Sequence, residues 1–252
     1  YIVVGYQGFG SEGSNDWTFD GWVVKLDGDL NIEWQHTFSP TSGVHYQDFL
    51  LSVRETRDHG FIALGETGYV GGDDWRNIWV LKLNPDGSTT WQRMYGGSEV
   101  ERAASIFETP DDKYIFAGTT HSNDGDVSGN HGYGDIWVVK INQTGDIIWQ
   151  KCFGNANMNW AGQVSDIGDE SVHGSNANDH YRGGYQVIAR NAFFDYLVSG
   201  STYQFGGNTD FSTFMFTDVV DPPFIEKIVP SPYVPLTEKE LKLNAVIKDS
   251  PS

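Results

Sequence analysis

Trp137-Val138-Val139-Lys140-Ile141 decides the fold of this chain, because the pattern occurs twice before it, as Trp22-Val23-Val24-Lys25-Leu26 and Trp79-Val80-Leu81-Lys82-Leu83. A second series, Trp34-Gln35, Trp91-Gln92 and Trp149-Gln150, keeps the same spacing behind the first. A third is Phe61-Ile62-Ala63-Leu64-Gly65, Tyr114-Ile115-Phe116-Ala117-Gly118 and Tyr196-Leu197-Val198-Ser199-Gly200, and the opening Tyr1–Gly5 belongs to it. A weaker fourth precedes the third: Leu51-Ser52-Val53, Ala104-Ser105-Ile106 and Gln186-Val187-Ile188. Self-similarity at a near-constant interval marks an architecture built from one supersecondary unit used repeatedly.

Each unit holds four short runs rich in Val, Ile, Trp, Tyr and Phe, separated by turn signals such as Asp58-His59-Gly60, Pro85-Asp86-Gly87 and Pro110-Asp111-Asp112. Such spacing leaves no room for a crossover helix, so each unit is expected to be a four-stranded antiparallel meander. One such sheet cannot bury both faces. Stacking copies radially does, and that is a β-propeller. A β-solenoid competes, but its period is much shorter. The expected fold class is therefore all-β, a propeller with parts of four blades over residues 1–220. The Trp-x-x-Lys runs suit mid-blade strands packed on both faces, with the lysine at the strand end reaching water.

Gly134-Asp135-Ile136-Trp137-Val138-Val139-Lys140-Ile141-Asn142, Gly145-Asp146-Ile147-Ile148-Trp149-Gln150-Lys151 and Ser122–Gly132 resemble repeats of secreted bacterial and archaeal surface proteins. Their order is similar to that of WD40 and quinoprotein-type blades. The resemblance covers roughly residues 1–217 and implies an extracellular or cell-surface multidomain protein. By that similarity the Ala104 run is inner strand A, the Tyr114 run B, the Trp137 run C and the Trp149 run D. Tyr1–Tyr6 is then a B strand, and Asp210–Phe216 a degenerate C strand with no clear D strand after it. The ring is either four-bladed or completed by blades upstream. After Val220 the pattern changes: residues 221–252, with Pro222–Val229 and Leu241–Asp249, are similar to the start of an immunoglobulin- or fibronectin-like domain, or form a tail packed on the propeller. With no initiator Met or signal peptide at the start and a structured pattern at the end, the sequence reads as a piece of a longer polypeptide.

Composition excludes several functions. The 252 residues carry 16 Lys and Arg against 34 Asp and Glu, a net charge of −18, so nucleic acid is not an expected partner. One cysteine permits neither a disulfide framework nor a cysteine zinc site. No apolar run is long enough to span a membrane as a helix. No HExxH zinc motif, G-x-S-x-G elbow or other catalytic signature occurs. Cys152 is read as a buried small apolar residue.

The strand order places the B–C and D–A connections at one end, and these are the long ones: Gln7–Thr18, Gly68–Arg76, His121–Gly134, Tyr203–Thr209 and an insertion, Asn155–Gly184. Long loops on a rigid scaffold are where binding concentrates. Their aromatics Trp17, Trp75, Tyr133, Trp160, Tyr181 and Tyr203 could stack on a sugar face, or pack over the rim. Asp124, Asp126, Ser128 and Asn130 within His121–Gly134, with Asp135 just after it, alternate oxygen ligands around a glycine, a pattern that suits Ca²⁺ or an Asx-rich turn. Asp16, Asp73, Asp124 and Glu170 are acids of that end by location alone. The expected function is non-catalytic binding of a polysaccharide or surface protein beside neighbouring domains of the same chain. A propeller glycoside hydrolase or lyase is the rival, and a ligand-free spacer the third reading.

Overall fold

The structure, a computed structural model, describes residues 1–9, 18–40, 46–69, 76–154, 158–164, 195–203, 209–217 and 225–231. These hold strands and turns and no helix. The first unit contains β1 (Ile2–Phe9), β2 (Thr18–Leu26) and β3 (Ile32–Phe38). The second contains β4 (Tyr46–Glu55), β5 (Phe61–Tyr69), β6 (Arg76–Leu83) and β7 (Thr89–Tyr95). In the third are β8 (Glu101–Glu108), β9 (Tyr114–Thr120), β10 (Asp135–Ile141) and β11 (Ile147–Phe153). The fourth is β12 (Met158–Val164), β13 (Asp195–Tyr203), β14 (Thr209–Thr217) and β15 (Ile225–Ser231).

Within each unit every strand pairs antiparallel with the next. A single parallel bridge, Phe19 to Gln47, joins the first unit to the second, making one seven-stranded ladder beside two of four strands. Gly65, Gly118 and Gly200 all face a β-bulge: the ladder slips just beyond Leu50, Ala103 and Ala161, their opposite numbers. A Cβ on Gly65 would stand 1.7 Å from the carbonyl oxygen of Phe49, and one on Gly118 2.3 Å from that of Arg102. The bulge thrusts a carbonyl at the neighbouring strand, and only glycine leaves room for it. A second irregularity follows Lys25, Lys82, Lys140 and Met215, again at one place in all four units.

Two expectations change here. The bulge opposite Gly200 makes β12 the first strand of the fourth unit, so a strand occupies part of what was read as the Asn155–Gly184 loop, while Gln186–Ile188 lies outside the described residues. The fourth unit also has a last strand, where no clear D strand was expected: Ile225–Ser231 pairs with β14. Pro230 suits an edge strand, and with the prolines at 222 and 223 it made the stretch read as a linker.

The sheets stack because strand residues alternate between two apolar faces. Phe61, Ala63, Trp79 and Leu81 form one face of the second unit and pack against Ile2, Val4, Val23, Trp34 and Phe38 of the first. Ile62, Leu64, Ile78 and Val80 form the other, against Tyr114, Phe116, Trp137, Val139 and Ile141 of the third. The third unit's far face carries Ile115, Ala117, Ile136, Val138, Trp149 and Phe153. Beyond it β12 packs on β8, β9 and β10. Trp79 and Trp137 are completely buried, and truncating either to alanine costs on the order of 3–5 kcal/mol.

Candidate functional site

The two ends of the stack differ, and the difference starts in the turns. Asp27–Asn31, Thr56–Gly60, Asn84–Ser88, Thr109–Lys113 and Asn142–Asp146 all close with one hydrogen-bond pattern, the first amide donating to the fifth residue's carbonyl and the fourth amide to the first carbonyl. The C–D turns also bind neighbouring units: Trp34 Nε1 donates to Pro85 O (3.2 Å), Trp91 Nε1 to Gln143 O (2.8 Å) and the Tyr95 hydroxyl to Gly145 O (2.6 Å). Lys82 and Lys140 do not reach water as expected. Both are buried and bond the turn aspartates of their own units, Asp58 at 2.8 Å and Asp111 at 3.0 Å. This end is occupied with holding sheets together.

At the opposite end His121–Gly134 is held by its own polar groups. Asp124 Oδ1 accepts from the Ser98 amide (2.8 Å), which draws its carboxyl below the usual range, and Asp126 Oδ2 accepts from the Gly96 amide (3.2 Å). Asn130 donates to Ser122 O (2.9 Å) and accepts from the Gly132 amide (3.0 Å), while Ser128 accepts from Gln150. Asp135, buried, takes the His131 amide (2.9 Å) and Nδ1 (2.6 Å) on Oδ2. The five residues singled out for Ca²⁺ thus serve as caps and tethers at separate points of the loop. Among the described residues, no group of three His, Cys, Asp or Glu is placed to hold a metal ion.

Of the six aromatics, Tyr133 lies in this loop and is 70% exposed. Trp160 is a strand residue of β12 opposite Ser201, and Tyr203 ends β13 opposite Met158, so neither belongs to a loop as read from sequence. Trp17, Trp75 and Tyr181 lie outside the described residues, as do Asp16, Asp73 and Glu170.

Sequence reasoning missed a polar row at the same end. Asn77, Thr67 and Asp48 stand opposite one another across β6, β5 and β4. Asp135, Thr120 and Glu101 do so across β10, β9 and β8, and Asp210, Thr202 and Asn159 across β14, β13 and β12. In the third unit the row is closed: Thr120 donates to Glu101 Oε1 (2.7 Å) and the Gly97 amide to Oε2 (3.1 Å). In the second it is not. Asp48 is fully buried, Ser39 donates to its Oδ2, and Oδ1 has no hydrogen-bond partner among the described residues, although Thr67 lies near enough to favour its charged form. Burial raises the carboxyls of both Asp48 and Glu101. The signal was available: Asp20, Asn77 and Asp135 each precede a repeated Trp by two positions.

Beside this row Tyr6, Phe19 and Phe49 make an aromatic cluster, with ring centroids 4.8 Å apart for Tyr6 and Phe49 and 5.5 Å for Tyr6 and Phe19. Arg76 lies over the Phe49 ring and 3.5 Å from buried Glu66, which also meets Arg102 at 3.5 Å. Tyr6 remains 54% exposed, so the end of the first two sheets offers a partly open aromatic surface beside the Arg76 guanidinium, which buried Glu66 holds in place. Rings beside polar partners can stack on the apolar side of a polyol and bond its hydroxyls. No protein-family model matches the chain, and no curated protein is significantly similar to it.

Proposed function

We propose that the chain is a non-catalytic, extracellular β-propeller module of a surface protein that binds a polysaccharide through the end bearing the long connections. A ring of blades is the reading that best accommodates four register-matched units packed face to face. The observation that supports binding at one end is the asymmetry between ends. Uniform turns, two of them anchored on a buried lysine by a solvent-facing aspartate, occupy one, while exposed Tyr133 and the Tyr6–Phe19–Phe49 cluster occupy the other. A surface protein is the alternative partner for the same end, and Ca²⁺ in the His121–Gly134 loop the alternative use of its acids.

The test is a screen of immobilised polysaccharides with the wild-type chain and with Tyr6→Ala and Tyr133→Ala. Retention of one glycan class, weakened severalfold by either substitution, is expected. Retention unchanged by both would reject this end as the site.

A glycoside hydrolase or lyase is the second reading, favoured by one observation: Asp48 is a buried carboxyl with a raised pKa and an oxygen that has no hydrogen-bond partner among the described residues. Perturbed carboxyls concentrate at catalytic sites. Glycan cleavage abolished by Asp48→Asn would establish that reading over binding alone.

A further inference from the structure

Phe19 and Gln47 form the bridge that joins the first sheet to the second, so the next residues on the two strands, Asp20 and Asp48, stand side by side. One unit later their counterparts are Asn77 and Glu101. There the contact is tight: a Cβ on Gly96 would lie 2.2 Å from Glu101 Oε2 and 2.3 Å from Asn77 Oδ1. Ser39 takes the place of Gly96 in the first unit, and its hydroxyl donates to Asp48 Oδ2. Where the second junction sets an amide against an acid, the first sets two acids together. Thr67 stands opposite Asp48 on β5. Asp48 is 0% and Thr67 1% exposed, and Asp20 is half-buried. Neither Asp48 Oδ1 nor Thr67 Oγ1 has a hydrogen-bond partner among the described residues, whereas both Glu101 oxygens are bonded. Burial raises the Asp48 carboxyl against the nearby Ser39 and Thr67 hydroxyls, and the Asp20 charge raises it further.

We propose that Asp20, Asp48 and Thr67 bind a divalent cation of the Ca²⁺ kind at the junction of the first two sheets. Adjacent carboxylates withdrawn from water need a cation or a shared proton between them. A shared proton makes one hydrogen bond and satisfies one oxygen. A hard cation takes several at once. Asp48 Oδ1, Thr67 Oγ1 and the Asp20 carboxylate supply its protein ligands, and water reaching half-buried Asp20 completes a shell of about six to eight oxygens. Two buried oxygens left over at one place favour the cation. Phe19 and Phe49 are the chain neighbours of the two acids, so the ion also sets the spacing of the Tyr6–Phe19–Phe49 cluster. The site is separate from the His121–Gly134 loop and shares no residue with it.

Thermal melts of the chain stripped with EDTA, then repeated in millimolar CaCl₂, test this with wild type, Asp20→Asn and Asp126→Ala. Asp20→Asn rebuilds the amide–acid pair that Asn77 and Glu101 make one unit on, so the fold accommodates it. A ligand that binds only the folded state raises the melting temperature by mass action. The expected result is a calcium-dependent rise of several degrees in wild type, kept by Asp126→Ala and lost in Asp20→Asn. A rise that survives Asp20→Asn would place the ion elsewhere and overturn the proposal. Loss of the rise in Asp126→Ala alone would move the ion to the His121–Gly134 loop and overturn it equally. A wild type indifferent to calcium would also overturn it. In that case stabilisation by Asp20→Asn means that the two acids merely repel or share a proton.

Discussion

The ammonium of Lys82, buried in β6, lies 2.8 Å from Oδ2 of Asp58, in the turn between β4 and β5. Thr56 Oγ1, 3.1 Å away, accepts a further bond from the same nitrogen. Lys140 and Asp111 repeat the arrangement one unit later. A buried ammonium needs a partner, so the lysine of the Trp-x-x-Lys pattern fixes the turn between the first two strands of its own unit. Asp58→Asn is predicted to destabilise by about 2 kcal/mol, because a charged hydrogen bond is lost and Lys82 remains buried. Lys82→Met should cost less, since it buries an apolar side chain and leaves Asp58 as a largely exposed carboxylate that water can solvate. Equilibrium denaturation of the two variants checks the order; equal losses would deny the lysine's burial its role.

Acid stability follows from the same pairs. Burial alone would raise Asp58, but bonds from Lys82, Thr56 and the Gly60 amide outweigh it and bring the carboxyl down from 3.8 to about 2; Asp111 is lowered likewise by Lys113, Thr109 and Lys140. A folded-state pKa below the unfolded one contributes stability that is complete above about pH 4 and is lost as pH falls toward 2. Asp48 and Glu101 have the opposite sign. Their raised carboxyls weaken the fold when ionised, and that penalty lifts as pH falls through their folded values. Stability measured downward from neutral pH is therefore predicted to hold or rise slightly before collapsing below about pH 4. Asp58→Asn should make that final fall shallower.

Leu30 adopts φ 66° in the turn position where its counterparts are Gly87 at 83° and Gly145 at 84°. A branched side chain in that region costs roughly 1–2 kcal/mol. Leu30 is 64% exposed, so burial of its side chain offsets little of that cost. Leu30→Gly is predicted to raise the melting temperature by a few degrees despite the extra freedom it gives the unfolded chain.

Cys152 is buried, and burial pushes its thiol up to about 12. A thiol rather than a thiolate faces apolar surroundings, so it should resist iodoacetamide in the native state and react fully in denaturant. Fast native alkylation would mean that the third sheet opens readily.

The repeat was legible because each unit reuses the same side chains for the same physical task. A tryptophan fills the space between sheets, a glycine yields to the bulge and a lysine anchors a turn. Where the task lapses, the signal lapses. Ser212 and Met215 stand in β14 where the other units have Trp and Lys, and Ile225–Ser231, rich in proline at its approach, read as a linker. β12 was hidden because its run, Met158–Val164, lacks the aliphatic alternation of the other first strands. The polar row escaped for a different reason. Acids inside strands look like solvent-facing positions until packing buries them, and only the register reveals that Asp48 and Glu101 occupy equivalent places. In the oxygen-rich loop the structure adds partners that the spacing did not show, the backbone amides of Gly96 and Ser98 donating to Asp126 and Asp124.

The most direct test of the account compares the two ends. Polysaccharide binding would be measured by affinity electrophoresis for wild type, for Tyr6→Ala and Tyr133→Ala at the long-loop end, and for Leu30→Ala and Arg57→Ala at the turn end. The account predicts that a bound glycan is released severalfold more easily by the first pair and held unchanged by the second. Binding impaired by the turn-end pair alone, or absent for every glycan tested, would contradict it.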